Sequence, residues 1–312
     1  MTIIVLYQTI IKLLKYTSIY FVLLFISVLS CKNDIKPSQK LTIQENKQIV
    51  IDADSNDIRI YNNIIDYSIK NKLSNKTLPE IEISIAKYLI GTPYVAHTLE
   101  KEGEEKLVIN LREMDCTTFV ENVIAISTCI YNKTIGFSDL SKVLTKIRYK
   151  NGVINKYPSR LHYFTEWLTD NERMNLISII SNSFAKDNFD SKVNFMSTHP
   201  VYYKQLKNKR FLEKIVYIEK KISKAKLKYI PKEKIHLFEN KIQNGDIIAI
   251  TTSINGLDIA HVGLAIIIEG RLHLFHESFS QKQVVISKEP LEDYLENFKK
   301  KNGIIVARLN TK

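Results

Sequence analysis

A cysteine opens an apolar helix, and that pairing limits what this chain can fold into more than any other feature. Met114-Asp115-Cys116-Thr117-Thr118-Phe119-Val120-Glu121 runs into Val123-Ile124-Ala125-Ile126, a stretch that reads as a buried helix. Asp115 suits the N-cap, which puts Cys116 in the first turn. Helix N-termini carry partial positive charge and unpaired N–H groups, and both favour a thiolate over a thiol. From Ile242 onward the chain is strand-rich: Asp246–Thr251, His261–Ile268, Leu272–His276, Val284–Ser287 and Ile304–Leu309.

Two of those strands carry histidines. His261 lies in Ile259-Ala260-His261-Val262-Gly263, and His276 ends Arg271-Leu272-His273-Leu274-Phe275-His276. A thiol at a helix N-terminus with histidines on neighbouring strands is a nucleophile–base arrangement. His261 is the expected general base, holding Cys116 as a thiolate–imidazolium pair and later giving a proton to a leaving amine. The bland alternative, a buried histidine satisfied by a backbone carbonyl, does not account for the surrounding motifs. Strand alternation puts His276 on one face with Leu272 and Leu274, and His273, Phe275 and Glu277 on the other. His276 is therefore the expected orienter, accepting a hydrogen bond from His261 and fixing its tautomer. His273 is read as a solvent or satellite residue.

These motifs resemble the NlpC superfamily of papain-like bacterial cell-wall cysteine peptidases. They resemble more closely its branch described as N-acetylmuramoyl-L-alanine amidase-like. The matching stretches include Gly91-Thr92-Pro93-Tyr94, Asp115 to Glu121, Arg160-Leu161-His162-Tyr163-Phe164 and Asn194-Phe195-Met196-Ser197. Gly245-Asp246-Ile247-Ile248 and Gly256 to Gly263 complete the series, which runs from about Tyr88 to Lys312. One departure is Glu277, where such proteins usually carry a small residue. The resemblance implies an α+β fold, with the nucleophile helix packed on an antiparallel sheet in a papain-like core. It implies catalysis by Cys116, His261 and His276 without a metal or other cofactor. A tyrosine at Tyr94 sits beside the nucleophile in that superfamily, so its hydroxyl and the Cys116 N–H are candidates to hold the oxyanion. Asp115 is given no role beyond the cap. The implied partners are peptidoglycan or muropeptide fragments, and the implied bond joins the lactyl group of N-acetylmuramic acid to L-alanine.

The N-terminus reads as a targeting signal. Lys12 and Lys15 precede an uncharged run, Tyr16 to Ser30, that is short for a membrane span and fits a secretory h-region. Val28-Leu29-Ser30-Cys31 resembles a lipobox, which implies cleavage before Cys31 and lipid on its sulfur; the alternative is an uncleaved anchor. An exported, membrane-anchored lipoprotein facing the periplasm or cell surface is the expectation. Losing Lys12 and Lys15 takes the formal charge from +12 to +10. A basic surface suits nucleic acid, anionic lipid or an anionic wall polymer. Export argues against nucleic acid, and the even spread of lysine favours a merely solvated surface. Cys116 and Cys129 are 13 residues apart. On one straight helix that is ~20 Å, beyond the ~7 Å reach of a disulfide. Both are expected as free thiols, with Cys129 a small buried hydrophobe.

The expected organisation is a signal over residues 1–30, a flexible polar tether over 31–54, and one domain over 55–312, acting as a monomer. Helices are expected over Ile58–Ile69, Leu140–Tyr149, Met174–Phe184 and Phe211–Ile222. Ile81–Ile90 is ambiguous by period but fits a helix stopped by Gly91 and Pro93. Residues 137–240 read as a large, mainly helical elaboration that shapes the substrate cleft. Within it, Arg160 and His162 are candidate substrate-binding residues, Arg160 for a carboxylate. Tyr163 and Trp167 serve equally well as packing. The competing functions are an endopeptidase cutting between D-glutamate and the diamino acid, a zinc hydrolase using Cys116, His261 and His276, and a non-catalytic wall-binding lipoprotein.

Overall fold

The computed structural model of the chain describes residues 49–311. The expected signal, the expected lipidation site Cys31 and most of the expected tether lie outside the described residues. Ile51–Ala53 (β1), assigned to the tether by sequence, instead pairs in parallel with Leu107–Ile109 (β2). The folded body therefore begins before Ile51, because three extended residues find backbone partners there. Asp54 then caps helix α1, Ser55–Lys70, in a reciprocal box with Asp57. Asp57 is fully buried and accepts from the N–H of Leu111 at 2.9 Å and from Arg112 Nε at 3.1 Å. One carboxylate thus ties α1 to the segment that leads into Cys116.

The ambiguous stretch is a helix. Thr77 and Glu80 form a capping box at the start of α2, Leu78–Tyr88, with Pro79 in its first turn. After α2 the chain turns at Gly91, whose φ of +85° lies in the left-handed region. Residues 91–95 then form a strap. Gly91 and Tyr94 N–H groups donate to Val284 and Lys282 carbonyls, and the Val95 N–H donates to Met114. The strap so holds Tyr94 beside the residues preceding the nucleophile.

Helix α3, Cys116–Tyr131, is buried along nearly its whole length. It lies against strands β7, Ile259–Ile268, and β8, Arg271–Ser278, with Phe119 and Phe275 ring centroids 5.9 Å apart. Helix α4, Phe137–Arg148, packs beside it and matches the predicted segment closely.

The main sheet has eight strands, all antiparallel. Its order is β4–β5–β10–β6–β7–β8–β9, with β3 also paired to β10. The remaining strands are β3 (Ile177–Ser178), β4 (Asp187–Phe189), β5 (Leu227–Pro231), β6 (Ile247–Thr252), β9 (Gln283–Ile286) and β10 (Lys301–Leu309). Both faces are covered. Val262, Leu264 and Phe275 join the core under α3, while Ala265, Leu272 and Leu274 join a second cluster with Leu291 and Leu295 of α9, Leu291–Glu296. His273 is consequently buried, with its Nδ1 3.0 Å from the Ser287 carbonyl, rather than facing solvent.

The elaboration is less purely helical than expected. Helices α5 (Phe164–Arg173), α6 (Ser181–Phe184), α7 (Phe195–Thr198) and α8 (Lys209–Ile222) belong to it, but so do β3, β4 and β5. It adds strands to the main sheet and builds a third apolar cluster around Tyr163, Met196 and Ile218. The described residues form one compact unit. The predicted helix over Met174–Phe184 is interrupted because Asn175 turns left-handed, at φ 57°, and Ile177 pairs with Leu309.

Candidate active site

Asp115 is the N-cap of α3. Its carboxylate accepts from the Thr118 N–H at 2.8 Å and Oγ1 at 2.9 Å, while Thr118 Oγ1 accepts from the Asp115 N–H. Cys116 is therefore the first residue of the helix, as the sequence indicates. Burial and the neighbouring Asp115 push the thiol up to about 12, against the pull of the Val262 and Thr117 N–H groups.

His261 Nε2 lies 2.7 Å from His276 Nδ1, the rings almost perpendicular at 89°. Burial lowers the pKa of both, that of His276 to about 4, and the Lys301 ammonium adds to the effect. Both imidazoles are neutral at neutral pH. With the shared proton on His261 Nε2, His276 Nδ1 accepts and His261 Nδ1 is left with a free lone pair.

Gly263 explains how the two rings come so close. A Cβ built there would stand 2.7 Å from the Phe275 carbonyl oxygen and 3.0 Å from His276 Cβ. Only glycine lets β8 approach β7 at this level. Gly263→Ala is expected to push β8 outward and lengthen the His261–His276 contact, lowering kcat by roughly tenfold or more while changing KM little. Steady-state kinetics on the purified variant measure this, and an unchanged kcat would show that the close approach does not matter.

A cavity of about 220 Å³ adjoins these groups, and Cys116, His261, Arg160 and His162 all line it. Its far wall comes from the elaboration, through Leu161, Tyr163, Phe164, Met196 and Tyr203. Asp258 fixes that wall to the catalytic strand, accepting from the N–H of Thr165 in the first turn of α5 at 2.8 Å. Arg160 is not the free cation that the sequence suggested. It is buried and bridges Glu100 at 2.7 Å and Glu105 at 3.1 Å. The place given to a substrate carboxylate is taken by two protein carboxylates. His162 Nε2 is 2.9 Å from the Tyr157 carbonyl, and burial, then the Arg160 charge, lowers its pKa to about 3. Tyr163 and Trp167 are packing residues with satisfied polar atoms, donating to Glu219 and Glu121.

Tyr94 stands in the electrostatic neighbourhood of Cys116, Asp115 and Glu277, and burial raises its hydroxyl to about 12. Cys129 is fully buried, and both it and Cys116 are free thiols, as expected. Sequence reasoning missed Glu100, Glu121, Arg148 and Lys301. Glu100 and Arg160 are 60 positions apart, and no local pattern joins them.

Residues 84–304 match the family described as AmiA-like, N-acetylmuramoyl-L-alanine amidase-like. A crystal structure of an N-acetylmuramoyl-L-alanine amidase from Bacteroides uniformis is similar over 75% of this chain and 99% of its own, with 39% identity and a TM-score of 0.72. A Bacteroides fragilis structure provisionally named a xylanase is similar over 72% of this chain and 100% of its own, with 38% identity and a TM-score of 0.69. A Legionella pneumophila protein at 22% identity shares the fold, with a TM-score of 0.62 over 83% of this chain and 97% of its own. A search of curated proteins gives no match. Because the family match spans the strap, the nucleophile helix, the elaboration and both histidine strands, the chain belongs to the N-acetylmuramoyl-L-alanine amidase-like family.

Proposed function

We propose that this protein is a thiol-dependent N-acetylmuramoyl-L-alanine amidase of papain-like type, acting on peptidoglycan or its muropeptide fragments. The observation that carries the reading is a single cavity holding Cys116 and His261, with His276 at 2.7 Å behind His261. His261 Nδ1 takes the thiol proton as Cys116 Sγ attacks the lactyl carbonyl carbon. In this reading proton transfer to His261 accompanies attack. The C=O π electrons move to oxygen, where the Cys116 N–H and the Tyr94 hydroxyl are the candidate donors. Collapse breaks the C–N bond, and the imidazolium returns its proton to the L-alanine nitrogen. Water, deprotonated by His261, then hydrolyses the thioester and frees the lactyl carboxylate and the thiol.

The family and the Bacteroides uniformis amidase support the bond assignment. So does the extra wall, since a sugar together with a peptide needs more enclosure than an extended peptide alone. Arg160 and His162 act as wall residues in this reading. Glu100, held by Arg160 and Tyr157, offers its carboxylate to hydroxyl or amide donors of the substrate. The zinc alternative is disfavoured by the two imidazoles, which spend facing nitrogens on each other instead of converging on an ion. A lipid on Cys31, an exported location and a monomeric state complete the proposal.

Digestion of a muramyl-tripeptide tests it. The expected products are the intact tripeptide with a free L-alanine amine and a sugar with a free lactyl carboxylate, identified by mass spectrometry. Release of a muramyl-dipeptide and a free diamino acid would instead establish the endopeptidase reading.

A further inference from the structure

Lysine is spread along the whole chain, but the excess of cations over acids is not. Residues 201–228 hold ten of the 45 Lys and Arg and two of the 33 Asp and Glu, a net of +8 out of +12. The segment belongs to the elaboration and is built around α8. Ile215, Ile218 and Ile222 turn inward to the third apolar cluster. Arg210, Lys214, Tyr217 and Lys221 follow one another at helical spacing along the exposed side. Of the two acids, Glu219 is buried and accepts from the Tyr163 hydroxyl and the Ser197 N–H, so Glu213 alone reaches the surface. Among the described residues one of the ten cations forms an ion pair, Lys204 with Glu102 at 2.9 Å.

These charges do not help the helix. Lys209 and Arg210 open α8, where the helix dipole disfavours cations and no acid in the first turn offsets them. Arg210 and Lys214 are like charges one turn apart. A merely solvated surface gains nothing from this arrangement, whereas an anionic surface neutralises it. The apolar groups then select among anionic surfaces. Tyr217 stands within the row of cations and is 69% exposed. The turn Pro200–Tyr202 packs on Lys204–Lys207 beside α8 and leaves Val201 84% and Tyr202 68% exposed. Cations interleaved with tyrosine and an aliphatic tip fit the headgroup boundary of a bilayer. A glycan polymer or a nucleic acid has no apolar layer to receive Val201.

We propose that this face of the elaboration docks on an anionic phospholipid bilayer. The lysines and Arg210 meet lipid headgroups, and Val201, Tyr202 and Tyr217 enter the boundary between headgroups and acyl chains. Tyr203, next to Tyr202, lines the catalytic cavity, so docking fixes how the cavity is turned relative to the bilayer. The lipid proposed on Cys31 tethers the body, and the basic face orients it. None of this depends on which bond is cut.

The test uses the folded body from Ile49 to Lys312, one compact unit, because the apolar run that precedes it would bind vesicles by itself. Phosphatidylcholine vesicles containing about one-third phosphatidylglycerol are the probe, and pure phosphatidylcholine vesicles are the control. The body is expected to sediment with the anionic vesicles alone and to be released as salt rises from about 0.05 M to about 0.5 M. Combining Arg210→Glu, Lys214→Glu and Lys221→Glu is expected to weaken that binding by about a hundredfold while the thermal midpoint stays near the wild-type value. Tyr217→Trp reports insertion directly. Its emission is expected to shift to the blue with anionic vesicles and not with dextran sulfate. Wild-type vesicle affinity in the triple variant would overturn the proposal. So would binding to dextran sulfate or duplex DNA as tight as to vesicles, with no emission shift on vesicles, since the face would then be a site for soluble polyanions.

Discussion

Cys116→Ser is expected to lower kcat on a muramyl-tripeptide by at least about a thousandfold while leaving the thermal midpoint nearly unchanged. The hydroxyl fits the first-turn position of the helix. What it lacks is acidity and nucleophilicity. Its proton is far harder to move to a neutral imidazole, and the site has no other base beside the nucleophile in the proposed sequence of steps. The control lies on the same helix. Cys129 is fully buried, so Cys129→Ala leaves a small void and costs about 1 kcal/mol. Its activity is expected to remain at the wild-type level. Steady-state rates and melting curves on both variants decide the matter, and equal losses would sink the assignment of Cys116.

Arg148→Met is expected to destabilise the fold by about 3–5 kcal/mol. The Arg148 and Glu121 side chains are each 2% exposed and meet at 2.7 Å, joining α4 to α3. Arg148 also donates to the Val108 carbonyl of β2, and the second Glu121 oxygen accepts from Trp167 Nε1 at 3.1 Å. Removing the guanidinium strands a carboxylate that water cannot reach. Burial already raises the pKa of Glu121, so in the variant it takes up a proton rather than remain charged. Glu121→Gln with Arg148→Met should recover much of the loss, since no charge is then left unpaired. Urea titrations of the single and double variants measure both terms. A loss below about 1 kcal/mol in the single variant would show that the pair is not needed.

The nucleophile helix and the two histidine strands were legible because their signals are local. Asp115, the apolar run after Cys116, and alternation around His261 and His276 each act within a few residues. Gly263 was visible only as part of a motif; its reason, the approach of His276, needs β8 in place. Strands β3 and β4 carried no readable pattern. Asp187-Asn188-Phe189 is extended because β5 offers it a partner, not because those residues prefer strand. The helix expected over Met174–Phe184 failed for the same reason, as pairing with β10 outweighs helical propensity. The ion pairs of Arg160 were not legible because Glu100 and Glu105 come from a distant loop.

The position of β10 has a consequence for how the molecule assembles. This strand follows every other strand in the chain, yet it lies between β5 and β6 in the sheet. Gly303 sits so close to the Ile230 carbonyl that no side chain fits between them. Until Lys301–Leu309 is available, β5 and β6 each present an unpaired edge, and the sheet exists as two incomplete pieces. Contacts of such long sequence separation close slowly. During that interval open edges invite pairing with other chains. Docking of β10 therefore closes two open edges at once, and any state of the chain that lacks it exposes both β5 and β6 to pairing with other chains.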